Sequence, residues 1–285
     1  MWPAIGLCWG TVRQSTLLDM IDVASTYGFP TINVPPHVFE ACLNSGTTAT
    51  SLRRHLADAG VRVTYVDALT RDLPGAPPME EVNPMWRENW KYGLDDLIRV
   101  AQALEAPVIN VTHFLGKPTA PHVMAQAIAG FAERAARHGL QLSLEFMPNT
   151  SMPSAAAAAE IVKLSGAANV GLLLDTWHLL RSGGAASDIR ALPRGSLTGV
   201  QLSDRRDDAT NPDPGCGEVS DRSLPGEGDA PLADIMQAIL DNTPNVSIEV
   251  EVFSSELAAL SPRAAGARTA DALANWQRTL PIPRR

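Results

Sequence analysis

Short apolar runs alternate with longer amphipathic runs along the whole chain. The apolar runs are four to eight residues long, are rich in leucine and β-branched residues, and are bounded by Gly, Pro, Asn or Asp. This pattern is typical of strands that are buried on both faces of a parallel sheet. The predicted strands are residues 5–9, 31–34, 61–67, 108–112, 140–146, 169–175, 197–203 and 246–253.

Helical periodicity occupies the intervals between these runs. Gly28, Gly60 and Gly139 follow three of the helical patterns and predict where those helices stop. Gly183 and Gly184 interrupt a further helix, which follows the sixth strand. The other predicted helices are residues 15–27, 50–59, 90–104, 120–138, 154–164, 231–240 and 264–280.

Two long segments show neither pattern. Residues 73–84 are rich in proline, and residues 204–228 form a polar stretch. Structureless segments of this length in compact domains are usually lids or binding loops. We therefore expect the proline-rich segment to be a lid or binding loop, with a surface excursion as the alternative.

Eight strand–helix units predict a single α/β domain over residues 1–285, folded as a (β/α)8 TIM barrel. The mean spacing of roughly 36 residues per unit suits this fold, whose usual length is about 250 residues. A doubly wound open sheet is the alternative, but it would require a glycine-rich phosphate loop after the first strand. The turn at that position contains Gly10 as its one glycine, and no linker divides the chain.

Composition narrows the class of protein. Hydrophobic residues make up 45% and charged residues 19%, which indicates a globular protein. The formal net charge of −8 disfavours a nucleic-acid partner. Neither a secretion signal nor a run of 18 apolar residues is present, so we expect a cytoplasmic protein without a membrane partner. Cys8, Cys42 and Cys216 lack zinc-site spacing and are expected to be reduced.

Oxygen-bearing side chains lie at the ends of strands five to eight: Glu145, Asp175, Gln201 and Glu251. The carboxyl ends of barrel strands meet at one face, where TIM barrels carry their chemistry. Buried acids without a partner are costly, and a divalent cation would neutralise them. Oxygen ligands suit Mn²⁺ or Mg²⁺, with Co²⁺ or Zn²⁺ as alternatives.

Two points about these acids stay open at the level of sequence. Glu249 and Glu251 face the same side of their strand, so either could be the eighth-strand ligand. Asp175 precedes a helical pattern and could simply be the N-cap of that helix.

Several motifs resemble the sugar phosphate isomerase/epimerase family, the xylose isomerase-like TIM barrels. The resemblance covers nearly the whole chain and is densest after Leu140. It implies that Glu145, Asp175, Gln201 and Glu251 hold one divalent metal ion. The motifs are Leu144-Glu-Phe-Met-Pro148, Asp175-Thr-Trp-His178, Val200-Gln-Leu-Ser-Asp204, Leu224-Pro-Gly-Glu-Gly-Asp229 and Val250-Glu-Val-Phe253.

The resemblance also implies roles for other residues and shows two departures. It makes His178 a substrate contact and Arg222 a clamp on the substrate. Most family members have His where this chain has Gln201, although a Gln carbonyl oxygen can still bind Mg²⁺ or Mn²⁺. Dehydroshikimate dehydratases of the family share this Gln but carry His two residues after the fifth-strand Glu. Met147 occupies that position here, which disfavours their activity.

The expected chemistry is proton transfer at a carbon next to a carbonyl, assisted by the metal ion. Glu145 and Glu251 are the predicted general acid and base, which requires surroundings that separate their pKa values. His178 would orient a substrate hydroxyl or donate a proton. His113 and Trp177 are further predicted substrate contacts.

Tryptophans near the strand ends could form the walls of a substrate pocket. Trp9, Trp86 and Trp177 are the three that the sequence places near this end of the barrel. Tryptophan is also a common core residue, so this assignment is the weaker alternative.

Three functions follow from these residues. The first is a metal-dependent isomerase or epimerase of a small polyol, keto-sugar or related hydroxy-carbonyl compound. The second is a lyase or dehydratase with the same first step. The third is a nuclease like endonuclease IV, which the net charge and Gln201 disfavour. A non-catalytic binding protein on the same barrel is an additional alternative. The sequence leaves a homo-oligomer open.

Overall fold

The computed structural model describes residues 2–206 and 222–281. Its parallel strands pair in chain order, and the first strand also pairs with the eighth, so the sheet is closed. The closed sheet confirms the (β/α)8 barrel and excludes the doubly wound open sheet. The strands are β1 Gly6–Leu7, β2 Thr31–Val34, β3 Arg62–Leu69, β4 Val108–Thr112, β5 Gln141–Glu145, β6 Val170–Asp175, β7 Leu197–Leu202 and β8 Ile248–Val250.

Helices surround this barrel and connect successive strands. Their ends follow local sequence: Thr16 caps α1 through a bond with the backbone N–H of Asp19, and Gly28 ends it in the left-handed region with a φ of 78°. In the described ranges the helices are α1 Leu17–Tyr27, α2 Pro36–Asn44, α3 Ala49–Ala59, α4 Arg87–Trp90, α5 Leu94–Leu104, α6 Pro121–Ala136, α7 Ala155–Ser165, α8 Thr176–Arg181, α9 Ala186–Ala191, α10 Leu232–Asn242, α11 Ser255–Ala258 and α12 Pro262–Thr279.

Several boundaries differ from the sequence expectation, and three of the differences are described here as examples. The segment after β2, expected to be a loop, contains α2, because Pro36 suits the first turn of a helix and Val38 and Phe39 bury its inner face. The helix expected from residue 90 begins at Leu94, after the short helix α4. β8 is shorter than residues 246–253, since its pairing ends at Val250.

The strand register brings the predicted site residues side by side. Glu145 is in register with Thr112, and Asp175 is in register with Gln201. Neighbouring strands lie about 4.8 Å apart, so these side chains share the C-terminal end of the barrel. Glu251 follows the last residue of β8 directly and lies at the same end.

Glu249 lies deeper in the barrel and is directed toward the opposite end. Its Oε1 accepts hydrogen bonds from Thr31 Oγ1 at 2.8 Å and from Ser247 Oγ at 2.7 Å. Thr31 is the first residue of β2, and Ser247 directly precedes β8. Glu249 therefore does not reach the other acids, and Glu251 is the eighth-strand acid that does.

The cysteines and the apolar content of the helices can also be compared with the sequence expectations. Cys8 and Cys42 are buried free thiols, and Cys216 lies outside the described residues, as does most of the polar loop. None of the helices in the described ranges combines the length and apolar composition that a bilayer crossing requires.

The buried carboxyl of Glu249 makes stability depend on pH. Burial raises its pKa above the usual 4.5, and its Oε2 has no partner among the described residues. A raised pKa means that the folded state holds the proton more tightly than the unfolded state does. The contribution of this carboxyl to stability is therefore present below pH 4.5 and is lost as the pH rises through the raised pKa.

We expect Glu249→Gln to remove this loss. The free energy of unfolding of the variant, relative to the natural protein, should increase from pH 4.5 to pH 8 by about 1.4 kcal/mol per unit of pKa shift. Urea unfolding of both proteins at several pH values measures this difference in the free energy of unfolding. Glu160→Gln, on the exposed face of α7, is the matched control and should leave the pH dependence unchanged. A pH-independent difference for Glu249→Gln would contradict the prediction.

Candidate active site

Asp175 is the last residue of β6 and the N-cap of α8, so it lies both at the end of a strand and at the start of a helix. Its Oδ1 accepts the backbone N–H groups of Trp177 at 2.7 Å and His178 at 3.4 Å, which makes it the N-cap. Its Oδ2 accepts a hydrogen bond from Arg222 Nη1 at 2.8 Å. The cap therefore fixes one oxygen and leaves the other for the acidic cluster.

Glu145 is held by two donors from β4. Its Oε2 accepts from Asn110 Nδ2 at 2.7 Å and from Thr112 Oγ1 at 2.6 Å. Burial, together with the negative charges of Asp67 and Asp175, raises the pKa of Glu145 to about 8, against the pull of these hydrogen bonds. Its other oxygen, Oε1, lies 3.5 Å from His178 Nε2.

His178 joins two of the acids. Its Nε2 also lies 3.5 Å from Asp175 Oδ2. Burial lowers the pKa of His178 to about 4, so the imidazole is neutral near pH 7. Ligand atoms of Glu145, Asp175 and His178 lie within 4.8 Å of one another, so this group could hold a divalent metal ion. A neutral imidazole is a common metal ligand.

Gln201, Arg222 and Glu251 complete the cluster. Gln201 Nε2 donates to Glu251 Oε1 at 2.8 Å, and Arg222 Nη1 donates to Glu251 Oε2 at 2.9 Å. Burial raises the pKa of Glu251 well above its usual value, although the Arg222 charge opposes the rise. The pKa values of the proposed acid and base, Glu145 and Glu251, are thus both shifted upward.

The donor set fits a hard divalent cation. The amide oxygen of Gln201 is buried and lacks a hydrogen-bond partner among the described residues. A buried carbonyl oxygen without a partner is rare and calls for an unplaced ligand or ion. The predicted ligands Glu145, Asp175, Gln201 and Glu251 all contribute oxygens here, and His178 adds a nitrogen that the sequence had assigned to substrate.

A pocket opens above this cluster, with a cavity volume of about 80 Å³. Trp9 and Trp86 line it, as the sequence suggested. Its remaining aromatic walls are Trp90, Phe114 and Phe253. Trp86 and Trp90 follow the proline-rich segment directly, whereas residues 73–84 themselves are not among those that line the pocket.

Trp177 lies elsewhere. It lines a neighbouring cavity, and two guanidinium groups lie against its ring, with Arg222 Cζ 5.2 Å and Arg181 Cζ 4.8 Å from the ring centroid. Trp177 was predicted to contact the substrate, but in the structure its ring packs against Arg222. Trp177 is the second residue of α8, which begins directly after Asp175, and it is not among the residues that line the pocket.

His113 also differs from its predicted place in the pocket. Its Nδ1 accepts the backbone N–H of Ser151 at 3.0 Å, and its Nε2 donates to the carbonyl of Pro74 at 3.1 Å. Burial lowers the pKa of His113, which keeps it neutral in this arrangement. It ties two loops together and is not among the residues that line the pocket.

Several polar residues of the site were not recognised in the sequence, among them Asp67, Asn33 and Asn110. Asp67 on β3 accepts from Asn33 Nδ2 at 2.9 Å and from Asn110 Nδ2 at 2.8 Å. Asn110 bonds Glu145 as well, so it connects the two carboxylates. Burial raises the pKa of Asp67 to about 6, against these two hydrogen bonds. The sequence signal of Asp67 is the same as that of Asp175, because each acid ends a predicted apolar strand.

The closed barrel and the acidic cluster at its C-terminal end define an α/β-barrel protein with a potential metal centre. Residues 21–280 match the family model described as xylose isomerase-like TIM barrel, and the chain belongs to this family. A 3-dehydroshikimate dehydratase from Pseudomonas aeruginosa is 25% identical over 263 residues, which are 88% of this chain and 38% of that protein. The chain thus spans well under half of that relative.

Solved structures share the fold. The IolI protein, described with a binding zinc atom, has a TM-score of 0.80 at 15% identity and covers 98% of this chain and 100% of its own. D-psicose 3-epimerase from Clostridium cellulolyticum H10, solved with D-tagatose, has a TM-score of 0.70 at 16% identity, with 98% and 100% covered. These similar proteins include a dehydratase and an epimerase, which are enzymes.

We expect Glu251→Gln to weaken Mn²⁺ binding by about 100-fold or more, above the 10–100-fold loss typical of groups that only support a ligand. The amide removes a charged oxygen from the cluster. Isothermal titration calorimetry measures the affinity. Glu249→Gln makes the same chemical change deeper in the same barrel and should bind Mn²⁺ normally. Equal losses in both variants would show that Glu251 has no special part in metal binding.

Proposed function

We propose that the protein is a divalent-metal-dependent isomerase or epimerase of a small hydroxy-carbonyl compound, such as a keto-sugar or an oxidised polyol. The observation that carries the proposal is the pair Glu145 and Glu251, two buried carboxyls with raised pKa values, in one pocket. Carboxyls whose pKa values are raised in this way suit the uptake and return of a proton, and the pKa of Glu145 rises to about 8. The pocket admits a small molecule, which is the partner we propose.

Glu145, Asp175, Gln201 and Glu251 would hold the metal ion, with His178 close to two of them. When bound, the ion would supply a positive charge that stabilises negative charge on a substrate oxygen. Such a charge would also allow several acids to be ionised together in one buried site.

The chain's own groups would move the proton. One glutamate takes the proton from the carbon next to the carbonyl, and a glutamate returns a proton to the neighbouring carbon or to the other face of the same carbon. The neutral imidazole of His178 would hydrogen-bond a substrate hydroxyl. The aromatic walls exclude water, which strengthens the electrostatic interactions within the pocket.

A lyase or dehydratase is the second candidate, because loss of a hydroxyl group can follow the same first step. The 25% identity to a dehydratase favours it. Met147 opposes the particular dehydroshikimate reaction: it is 7% exposed and lines the pocket, and a thioether cannot exchange a proton with a leaving hydroxyl group. Isomerisation therefore remains the first proposal.

We expect the Mn²⁺-loaded protein to exchange a carbon-bound hydrogen for deuterium in D₂O with ketoses or inositol ketones, without loss of water. NMR and mass spectrometry of the recovered compound measure exchange and dehydration separately. Glu145→Gln should slow the exchange by about 10²–10⁴-fold, the usual contribution of a general acid or base. Glu160→Gln on the exposed face of α7 should exchange normally.

Loss of water at the rate of exchange would move the assignment to a lyase. Absence of both reactions over the whole set of ketones would contradict the proposed chemistry.

A further inference from the structure

The pocket contains more negative than positive side chains. Among the described residues, four carboxylates and one guanidinium make up the cluster and its rim. His178 is counted as neutral, the form in which an imidazole binds a metal ion. With every carboxylate ionised, the formal charge is three negative charges. The charged groups are Asp67, Glu145, Asp175, Glu251 and Arg222.

A bound divalent ion would leave this site with one negative charge. The sum does not depend on which oxygen Arg222 contacts, because the guanidinium keeps its charge in every orientation. A substrate carboxylate would bring a second negative charge into a buried place, where charges interact more strongly than in water. A neutral substrate adds no such repulsion.

Asp67 differs from the other acids in its accessibility. It is only partly buried and lines the pocket, whereas Glu145, Asp175 and Glu251 are buried. Each Asp67 oxygen accepts one hydrogen bond, from Asn33 or from Asn110, and retains a further acceptor position.

The orientation of Asp67 is fixed by its neighbours. Asn33 Oδ1 accepts the backbone N–H of Trp9 at 2.6 Å, so its amide presents Nδ2 to Asp67. Asn110 donates to both Asp67 and Glu145 and holds the two carboxylates in one network. A carboxylate held in this way accepts hydrogen bonds from hydroxyl groups and repels other carboxylates.

We propose that Asp67 is a specificity-determining residue: it accepts a hydrogen bond from a hydroxyl of a neutral substrate and excludes substrates that carry a carboxylate. This proposal rests on the proposed function in one respect, that the substrate occupies this pocket. 3-Dehydroshikimate, the substrate in the name of the Pseudomonas aeruginosa relative, carries a carboxylate and falls in the excluded class.

Binding without turnover tests this proposal. The probes are D-glucose, D-glucuronate and the methyl ester of glucuronate, which share one ring and differ in charge. Trp9, Trp86 and Trp90 line the pocket, so quenching of tryptophan fluorescence in the Mn²⁺-loaded protein reports binding. We expect glucose and the ester to bind at least about 10-fold more tightly than glucuronate, a difference of about 1.4 kcal/mol.

Asp67→Asn should reduce this preference to less than about 3-fold, because the amide removes the charge and keeps the shape. Asp58→Asn, which removes the same charge on the exposed face of α3, should preserve the preference. Asp67→Ser is the second variant, and thermal unfolding checks that each variant is folded.

Equal affinity of the natural protein for the acid and its ester would overturn the proposal, as would binding of none of the three probes. An unchanged preference in both Asp67 variants would overturn it too. These outcomes are independent of catalysis. A protein that shows the charge preference but no deuterium exchange would retain the role of Asp67 and lose the proposed isomerase chemistry.

Discussion

The concentration of carboxylates at one end of the barrel is the constraint on which the rest of the site depends. Glu145, Asp175 and Glu251 are at least nine-tenths buried, and among the described residues Arg222 is the one cation that bonds any of them. Removing such charges from water costs several kcal/mol each unless they are paired or protonated. The raised pKa values of Glu145 and Glu251 express this cost. A fold that keeps these acids together gains a centre able to bind a cation and move protons.

The barrel supports this arrangement through register and hydrogen bonds. The acids belong to separate strands, so their spacing is set by backbone pairing and not by flexible loops. Asn110 and Thr112 orient Glu145 from the neighbouring strand, and the cap of α8 orients Asp175. Precise placement of this kind is what a catalytic or metal-binding site needs from its supporting residues.

Much of this arrangement was predictable because parallel strands give a strong local signal. β2 and β4 have the predicted ends, and Asp175 is the final residue of its strand, as the apolar run indicated. Glu145 ends β5, one residue before the predicted end at Phe146. The choice between Glu249 and Glu251 was not predictable. Both alternate to the same side, and only the hydrogen bonds to Thr31 and Ser247 separate them.

The positions of His113 and Trp177 depended on tertiary contacts that periodicity does not encode. His113 is held by the backbones of Pro74 and Ser151, which are 39 and 38 positions away in the sequence. Trp177 contacts arginines from two different segments, Arg181 and Arg222. Asp67 and Asn110 were not predicted as site residues, for a different reason. Their local signal was present, but an acid or amide in a strand gains meaning only when its spatial partners are known.

The two oxygens of Asp175 show how one residue connects fold and chemistry. Oδ1 is used by the helix cap, so only Oδ2 is directed to Arg222 and His178. A cation bound at Asp175 and Glu251 would compete with Arg222 for the same oxygens. Arg222 lies against the rings of Trp177 and Phe253, with its Cζ 5.2 Å and 5.1 Å from their centroids. We expect these contacts to hold it next to the pocket when its partners change. The same guanidinium can therefore neutralise the acids in one state and contact a substrate oxygen in another.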